Sequence, residues 1–413
     1  MKRFRFIIII IIAFLFGFLH AWSLHTTIAS TFVKGVASVP IWLIPLWLFL
    51  VFMFLIFIHE FGHLITFVVQ GIKIRALYVW FFVVYIDHVT KRFKVRFRRE
   101  QLLFVGGMVV PNIGPIESEK EYNSVRNKIA RSLFAAPIFT IVSSTSILLG
   151  TFLALMYSKN YLLIGLFVYA SILTIIFSFI AIKSFFASTA QIYGDFVAYR
   201  KIKEEEFFYL NSIIQYQMFS SYDDTKVDWF FGKLEQIIID NEIEYNSFYL
   251  SIVHEYFNYV NVFDFPSSQK AYERLKKMKP GRLFVSLEHR VLAYQLLQYY
   301  YRIGRGIGAY NLYLLFQEQL LKSEFEFRWL EHYMNIADHS DYLYHYKESL
   351  DRITLIFDIL IDEEKLKQYY LKKADFLEVV CDYHARDLDR EKTDKIRDRI
   401  LEKYANKETK KIP

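Results

Sequence analysis

Cysteine is nearly absent from this 413-residue chain. The single one, Cys381, excludes an internal disulfide framework and any zinc site built on thiolates. It lies in a charged helical stretch and reads as inert. Proline and glycine are also scarce, at 8 and 15 against 41 Phe and 30 Tyr. Hydrophobic residues make up 54% and aromatics 19%, which is not the composition of one soluble unit. Acidic side chains are thin in the first half. Residues 1–199 hold 18 Lys/Arg against 7 Asp/Glu, whereas residues 200–413 hold 32 against 36. The basic excess therefore sits in the apolar half, where topology is its usual cause, and it gives no reason to expect a nucleic-acid partner.

Four long runs have almost no charge. Phe6 to Leu19 follows the basic Met1-Lys2-Arg3-Phe4-Arg5. No small-x-small cleavage site follows at once, so a retained signal anchor is favoured over a cleaved signal peptide. Further runs cover Pro40 to Gly71, Ser132 to Tyr157 and Tyr161 to Phe186, with Lys183 near the end of the last. Each supplies the roughly 20 apolar residues that cross a hydrocarbon core. Only Ser158-Lys159-Asn160 separates the last two, which forces a helical hairpin.

The positive-inside rule sets an expected orientation. The segment 71–131 carries twelve Lys/Arg, and Arg200-Lys201-Ile202-Lys203 follows the last run, while the opposite loops carry only Lys34 and Lys159. The N-terminus, the 71–131 loop and everything after about residue 187 are thus expected in the cytoplasm of a multi-pass cell-membrane protein. Within that loop, β-branched and aromatic residues from Lys73 to Tyr85, and basic–apolar alternation from Phe93 to Phe97, read as short strands at the membrane surface. Gly106-Gly107 and Pro111-Asn112-Ile113-Gly114-Pro115 read as turns. Residues 200–413 show apolar and aromatic positions at helical spacing. The expected architecture is mainly α. It has a signal-anchor span (1–35), a membrane core (36–199) with a surface β loop (72–115), a cytoplasmic helical domain (200–386) and a charged helix and tail (387–413). Helix pairs in the third part can stack as a solenoid offering a surface to a protein partner.

Ile58-His59-Glu60-Phe61-Gly62-His63 carries the chemistry. Positions i and i+4 of a helix share a face, so His59 and His63 can grip one zinc ion. The adjacent Glu60 then serves as general base toward water activated by the metal. The motif ends an otherwise uncharged span, where an ionisable group costs about 2.5–3.5 kcal/mol on insertion scales. A helix end that merely meets water explains each residue singly but not the spacing. Catalytic zinc has three protein ligands and one open position. Asp195 is the only acidic residue between Glu121 and Glu204, and the orientation brings it to the membrane face of His59. Asp87 and His88 in the surface loop are rivals, as is Glu378 with Asp382 four residues on.

Together these features resemble the site-2 protease family of intramembrane metalloproteases over about residues 40–200. His59 to Ile65, followed by Gly71-Ile72-Lys73, is similar to that family's first motif. Arg131 to Ile138 is similar to its small-residue–proline segment. Tyr193-Gly194-Asp195 stands where the family places its ligand aspartate, although there the glycine follows the aspartate, and Thr140 replaces an expected asparagine. The resemblance implies one Zn2+ per chain, held by His59, His63 and Asp195 with Glu60 as base. It also implies cleavage of a membrane-associated peptide, with Pro137 and Thr140 near the substrate. Leu77 to Tyr85, including Tyr78 and Trp80, is either the candidate strand edge on which an extended substrate pairs and exposes its carbonyl or a set of aromatics that anchors at the membrane interface. The alternative to an enzyme is a degenerate relative that binds membrane peptides as an immunity or scaffold protein. The Ile-, Lys-, Phe- and Tyr-rich composition suggests an AT-rich bacterium, and with it a secreted or signalling peptide precursor as substrate.

Overall fold

The computed structural model describes residues 26–87, 90–98, 106–188, 193–220, 222, 226–283, 287–305, 308–309, 311–312 and 360. The expected first span, His88, Cys381, Glu378 with Asp382, and the charged tail lie outside these residues. The chain divides into two compact units.

The first unit holds the apolar helices. Helix α1 (Thr26–Ser38) precedes α2 (Leu43–Val69). Helix α3 (Glu119–Tyr157) and helix α4 (Tyr161–Phe185) form the hairpin expected from the three-residue loop. Asn160 caps α4 by accepting from the Leu163 amide at 3.1 Å. Three helices among the described residues, α2, α3 and α4, are long and apolar enough to cross a membrane. The chain is mainly helical with one small sheet.

Helix α3 begins well before the apolar run that announces it. Ser118 accepts from the Glu121 amide at 3.3 Å, and the Glu121 carboxylate accepts from the Glu117 amide at 2.8 Å. The Ser118 bond is the N-cap half of a capping box, and the charged stretch from Glu119 to Arg131 is helical too.

Glycine and hydroxyl contacts join these helices. A Cβ on Gly165 of α4 would overlap the Gly35 carbonyl of α1, so the two backbones touch. The Thr151 and Ser171 hydroxyls meet at 2.6 Å, and Ser178 donates to Ser144 at 2.9 Å, linking α3 to α4. Such pairs join helices where lipid gives no hydrophobic drive. Trp47 of α2 donates to the Leu166 carbonyl at 2.8 Å, beside a core of Val51, Leu55 and Ala170.

Strands β1 (Ile74–Val79), β2 (Phe82–Ile86), β3 (Phe93–Phe97) and β4 (Gly107–Pro111) form an antiparallel sheet in the order β3-β2-β1-β4. This corrects the expected substrate edge: Leu77 to Tyr85 is the interior of the sheet. β1 lies between β2 and β4, and β2 between β1 and β3. The edge next to β1 is β4, whose Gly107 and Pro111 read in sequence as turn residues. The sheet also touches the long apolar helix α2. At the β1–β2 turn, Trp80 takes φ 52° and packs on Phe49 and Phe52 of α2, with centroids 6.1 and 5.6 Å apart. The hairpin tip thus lies beside the first half of that helix.

The second unit contains residues 112–124 and the helices from α6 (Glu206–Met218) onward. Helix α5 (Asp195–Glu204) belongs to the first unit. After α6 come α7 (Asp228–Asp240), α8 (Ser247–Phe263), α9 (Gln269–Leu275) and α10 (Leu287–Arg302), with a 3-10 turn at Pro280–Arg282. Aromatic rings fill its core: Phe231 stacks on Tyr256 at 5.2 Å and on Tyr259 at 5.6 Å. Glu235 accepts from Tyr256 at 2.8 Å and from the Ser268 amide at 2.9 Å, and Ser267 joins Tyr256 to Tyr299.

Candidate metal centre

The last turns of a helix as apolar as α2 have few polar neighbours of their own, and there His59, Glu60 and His63 meet groups of α3, α5 and β4. His59 Nε2 stands 3.1 Å from Asp195 Oδ2, and His63 Nε2 stands 3.7 Å from Asp195 Oδ1. One donor atom from each residue lies within 4.8 Å of the other two. With bonds of about 2.0–2.2 Å, ligand atoms on a tetrahedral zinc are roughly 3.3 Å apart. The donor set therefore fits one zinc ion.

The other imidazole nitrogens are engaged. His59 Nδ1 lies 2.9 Å from Thr140 Oγ1, and His63 Nδ1 lies 3.1 Å from Ser132 Oγ, both on α3. Outer partners of this kind orient metal-binding histidines. The Phe185 ring stacks on His59 at 5.4 Å with an interplanar angle of 10°, and the two imidazoles meet edge to face at 5.2 Å.

Two glycines set the approach of the surrounding elements. A Cβ on Gly62 would come within 2.7 Å of Ala136 Cα, so α2 and α3 can approach only because residue 62 has none. A Cβ on Gly194 would overlap the Ser184 carbonyl and Phe185. That residue folds the chain tightly back onto the end of α4, and its amide donates to the Ala187 carbonyl at 2.9 Å. Asp195 follows at once in the first turn of α5, where the helix dipole favours a carboxylate. Burial by itself would raise the Asp195 carboxyl. The closeness of His59, and after it of His63, outweighs burial and holds the group below the usual carboxylate range.

Glu60 is 4% exposed. Its Oε1 lies 4.0 Å from His59 Nε2, and its Oε2 is buried with no hydrogen-bond partner among the described residues. A buried orphan oxygen is costly to keep unless something else meets it. Gly107 of β4 backs onto this side chain so closely that a Cβ would overlap it. Sequence reasoning missed Gly107 as a functional position. A glycine opening an apolar pentapeptide was the available signal.

The remaining sequence candidates are placed as follows. Thr140 touches a donor. Pro137 lies inside α3 beside Ala136. Tyr78 is buried in β1, and Trp80 sits at the hairpin tip against Phe49 and Phe52 rather than at His59. The rival Asp87 instead closes a local turn, accepting from the Thr90 amide at 2.7 Å and from its hydroxyl at 2.9 Å.

The sequence model of Peptidase family M50 matches residues 47–366, more than half of the chain. The chain belongs to Peptidase family M50, the site-2 protease family. The match starts within α2 and runs through the described helices of the second unit, beyond the 40–200 stretch that carries the motifs. Comparison with curated proteins and with solved structures finds no match. M50 proteins are zinc-dependent membrane metalloproteases, and membership favours a protease over a non-catalytic peptide-binding scaffold.

Proposed function

We propose that this chain is a multi-pass intramembrane zinc endopeptidase that cleaves a membrane-associated peptide, with His59, His63 and Asp195 as metal ligands and Glu60 as general base. The observation that carries this reading is the convergence of those three donors beside a buried carboxylate with an orphan oxygen. When bound, zinc supplies Lewis acidity toward water and toward a peptide carbonyl.

The chain's own residues do the rest. Glu60 takes a proton from the attacking water as its oxygen bonds to the carbonyl carbon. It returns that proton to the amide nitrogen as the C–N bond breaks. The Phe185 ring covers one face of His59 and excludes water there. Strand β4 offers its unpaired edge, among the described residues, to an extended substrate. Peptide bonds in a helix are shielded by their own hydrogen bonds, whereas a paired strand leaves its carbonyls accessible.

The charge asymmetry supports placing the 71–131 loop and the helical domain on the cytoplasmic side. The helical domain is then the surface that selects a substrate or protein partner, and a bacterial secreted or signalling peptide precursor is the substrate class this reading favours.

The test is zinc content and turnover together, in vesicles, with transmembrane peptide precursors as substrates. The reading expects about one zinc per chain in the wild type and in Glu60→Gln, loss of zinc in His59→Ala and Asp195→Ala, and cleavage by the wild type alone. A wild type without zinc, or a Glu60→Gln variant that cleaves at the wild-type rate, would overturn it.

A further inference from the structure

A neutral imidazole carries one N–H, and only the other nitrogen has a lone pair for a metal. Which nitrogen holds the proton decides whether a histidine in this site can be a ligand at all. The hydrogen-bond geometry around α3 points to the same answer at both histidines.

Thr140 Oγ1 has one proton. It stands 3.2 Å from the Ala136 carbonyl, which can only accept, so the hydroxyl donates there. With the hydroxyl donating there, the 2.9 Å contact with His59 Nδ1 takes its proton from the imidazole. Ser132 repeats the pattern. Its hydroxyl donates to the His63 carbonyl at 3.3 Å, leaving its lone pairs to accept from His63 Nδ1 at 3.1 Å. Both Nδ1 atoms are thereby donors, and both Nε2 atoms face Asp195.

We infer that Thr140 and Ser132 are positioning residues that hold His59 and His63 in the Nδ1–H tautomer, with Nε2 presented to the metal. This rests on the reading of the site proposed above. The ligands are four residues apart on α2 and their hydroxyl partners eight apart on α3, in reverse order, so one antiparallel helix orients both rings. The Gly62–Ala136 contact lies between the two pairs and sets the separation that both hydroxyls bridge. Both hydroxyl residues are buried, at 2% and 0% exposure, away from water that would compete for the imidazole protons.

Hydroxyls on such a seam can also serve only to hold two helices together, and the experiment separates the two roles. Full-length wild type, Thr140→Val, Thr140→Ser, Ser132→Ala and the Thr140→Val/Ser132→Ala double variant are purified in detergent. Zinc affinity is read by chelator competition, ligand geometry by the visible spectrum of the cobalt(II) form, and fold by thermal unfolding of the metal-free chain. Orienting partners of this kind change metal affinity about 10- to 100-fold. Each loss of a hydroxyl is therefore expected to weaken zinc by that factor and alter the cobalt spectrum, while Thr140→Ser restores both. Wild-type zinc affinity in Thr140→Val and Ser132→Ala, with only the unfolding temperature lowered, would reduce the pair to structural contacts. A wild type that binds no zinc would instead overturn the underlying site reading.

Discussion

Gly107 of the edge strand lies directly behind Glu60, with no room between them for a single methyl group. The backbone of β4 is therefore the wall that holds the carboxylate beside the two imidazoles. Replacing Gly107 with Val is expected to displace Glu60 without touching a metal ligand. Zinc content should stay at the wild-type level while peptide cleavage falls by about 10²-fold or more, the usual weight of a positioned general base. Zinc analysis paired with a cleavage assay checks this. Full activity in the variant would show that Glu60 does not need that wall.

Gly194 makes a second kind of test. It lets the chain close against the Ser184 carbonyl, and Asp195 follows it directly. Gly194→Ala should push α5 away from α4 and lengthen the reach of the carboxylate to His59. A loss of zinc affinity of roughly 10-fold or more is expected, within the range for disturbed ligand orientation. Unaltered affinity would mean that α5 adjusts freely.

Removing the metal should be reversible. A strong chelator is expected to stop turnover, and one equivalent of zinc should restore it, with circular dichroism unchanged throughout. Glu60→Gln should keep the zinc and still lose about 10²- to 10⁴-fold in rate, because only the proton carrier is missing.

The Thr151–Ser171 contact predicts a modest effect on stability. Thr151→Val, Ser171→Ala and the double variant form a cycle whose coupling should be about 0.6 kcal/mol, and at most about 1.7 kcal/mol. Reversible unfolding in mixed micelles measures it. A coupling near zero would leave the α3–α4 hairpin to apolar packing alone.

Much of this site was legible in the sequence because its chemistry is local. His59, Glu60 and His63 lie within one and a half turns, and an apolar run flanks them. Asp195 stands out by elimination, since so few acids precede Glu204, and the fold brings it to both imidazoles. What stayed hidden depends on pairing between distant segments. Nothing in residues 107–111 announces that they form an edge strand against β1, and alternation in Leu77 to Tyr85 cannot say which strand is outermost. The start of α3 was masked because hydropathy marks only the apolar part of a helix, although Ser118 and Glu121 carried a capping signal. The hydroxyls of Ser132 and Thr140 are ordinary residues until α2 is laid against α3.

On the proposed reading, the edge of β4, unpaired among the described residues, has a consequence for selectivity. A strand added there is recognised by main-chain amides and carbonyls that every residue except proline provides, and its side chains alternate between two faces. A protease working in this way would read extension before it reads letters. Only every second residue near the scissile bond meets the sheet's inner face, so selectivity between precursors would come from how readily a segment unwinds. Helix-breaking residues near the cut would matter more than any fixed motif around it.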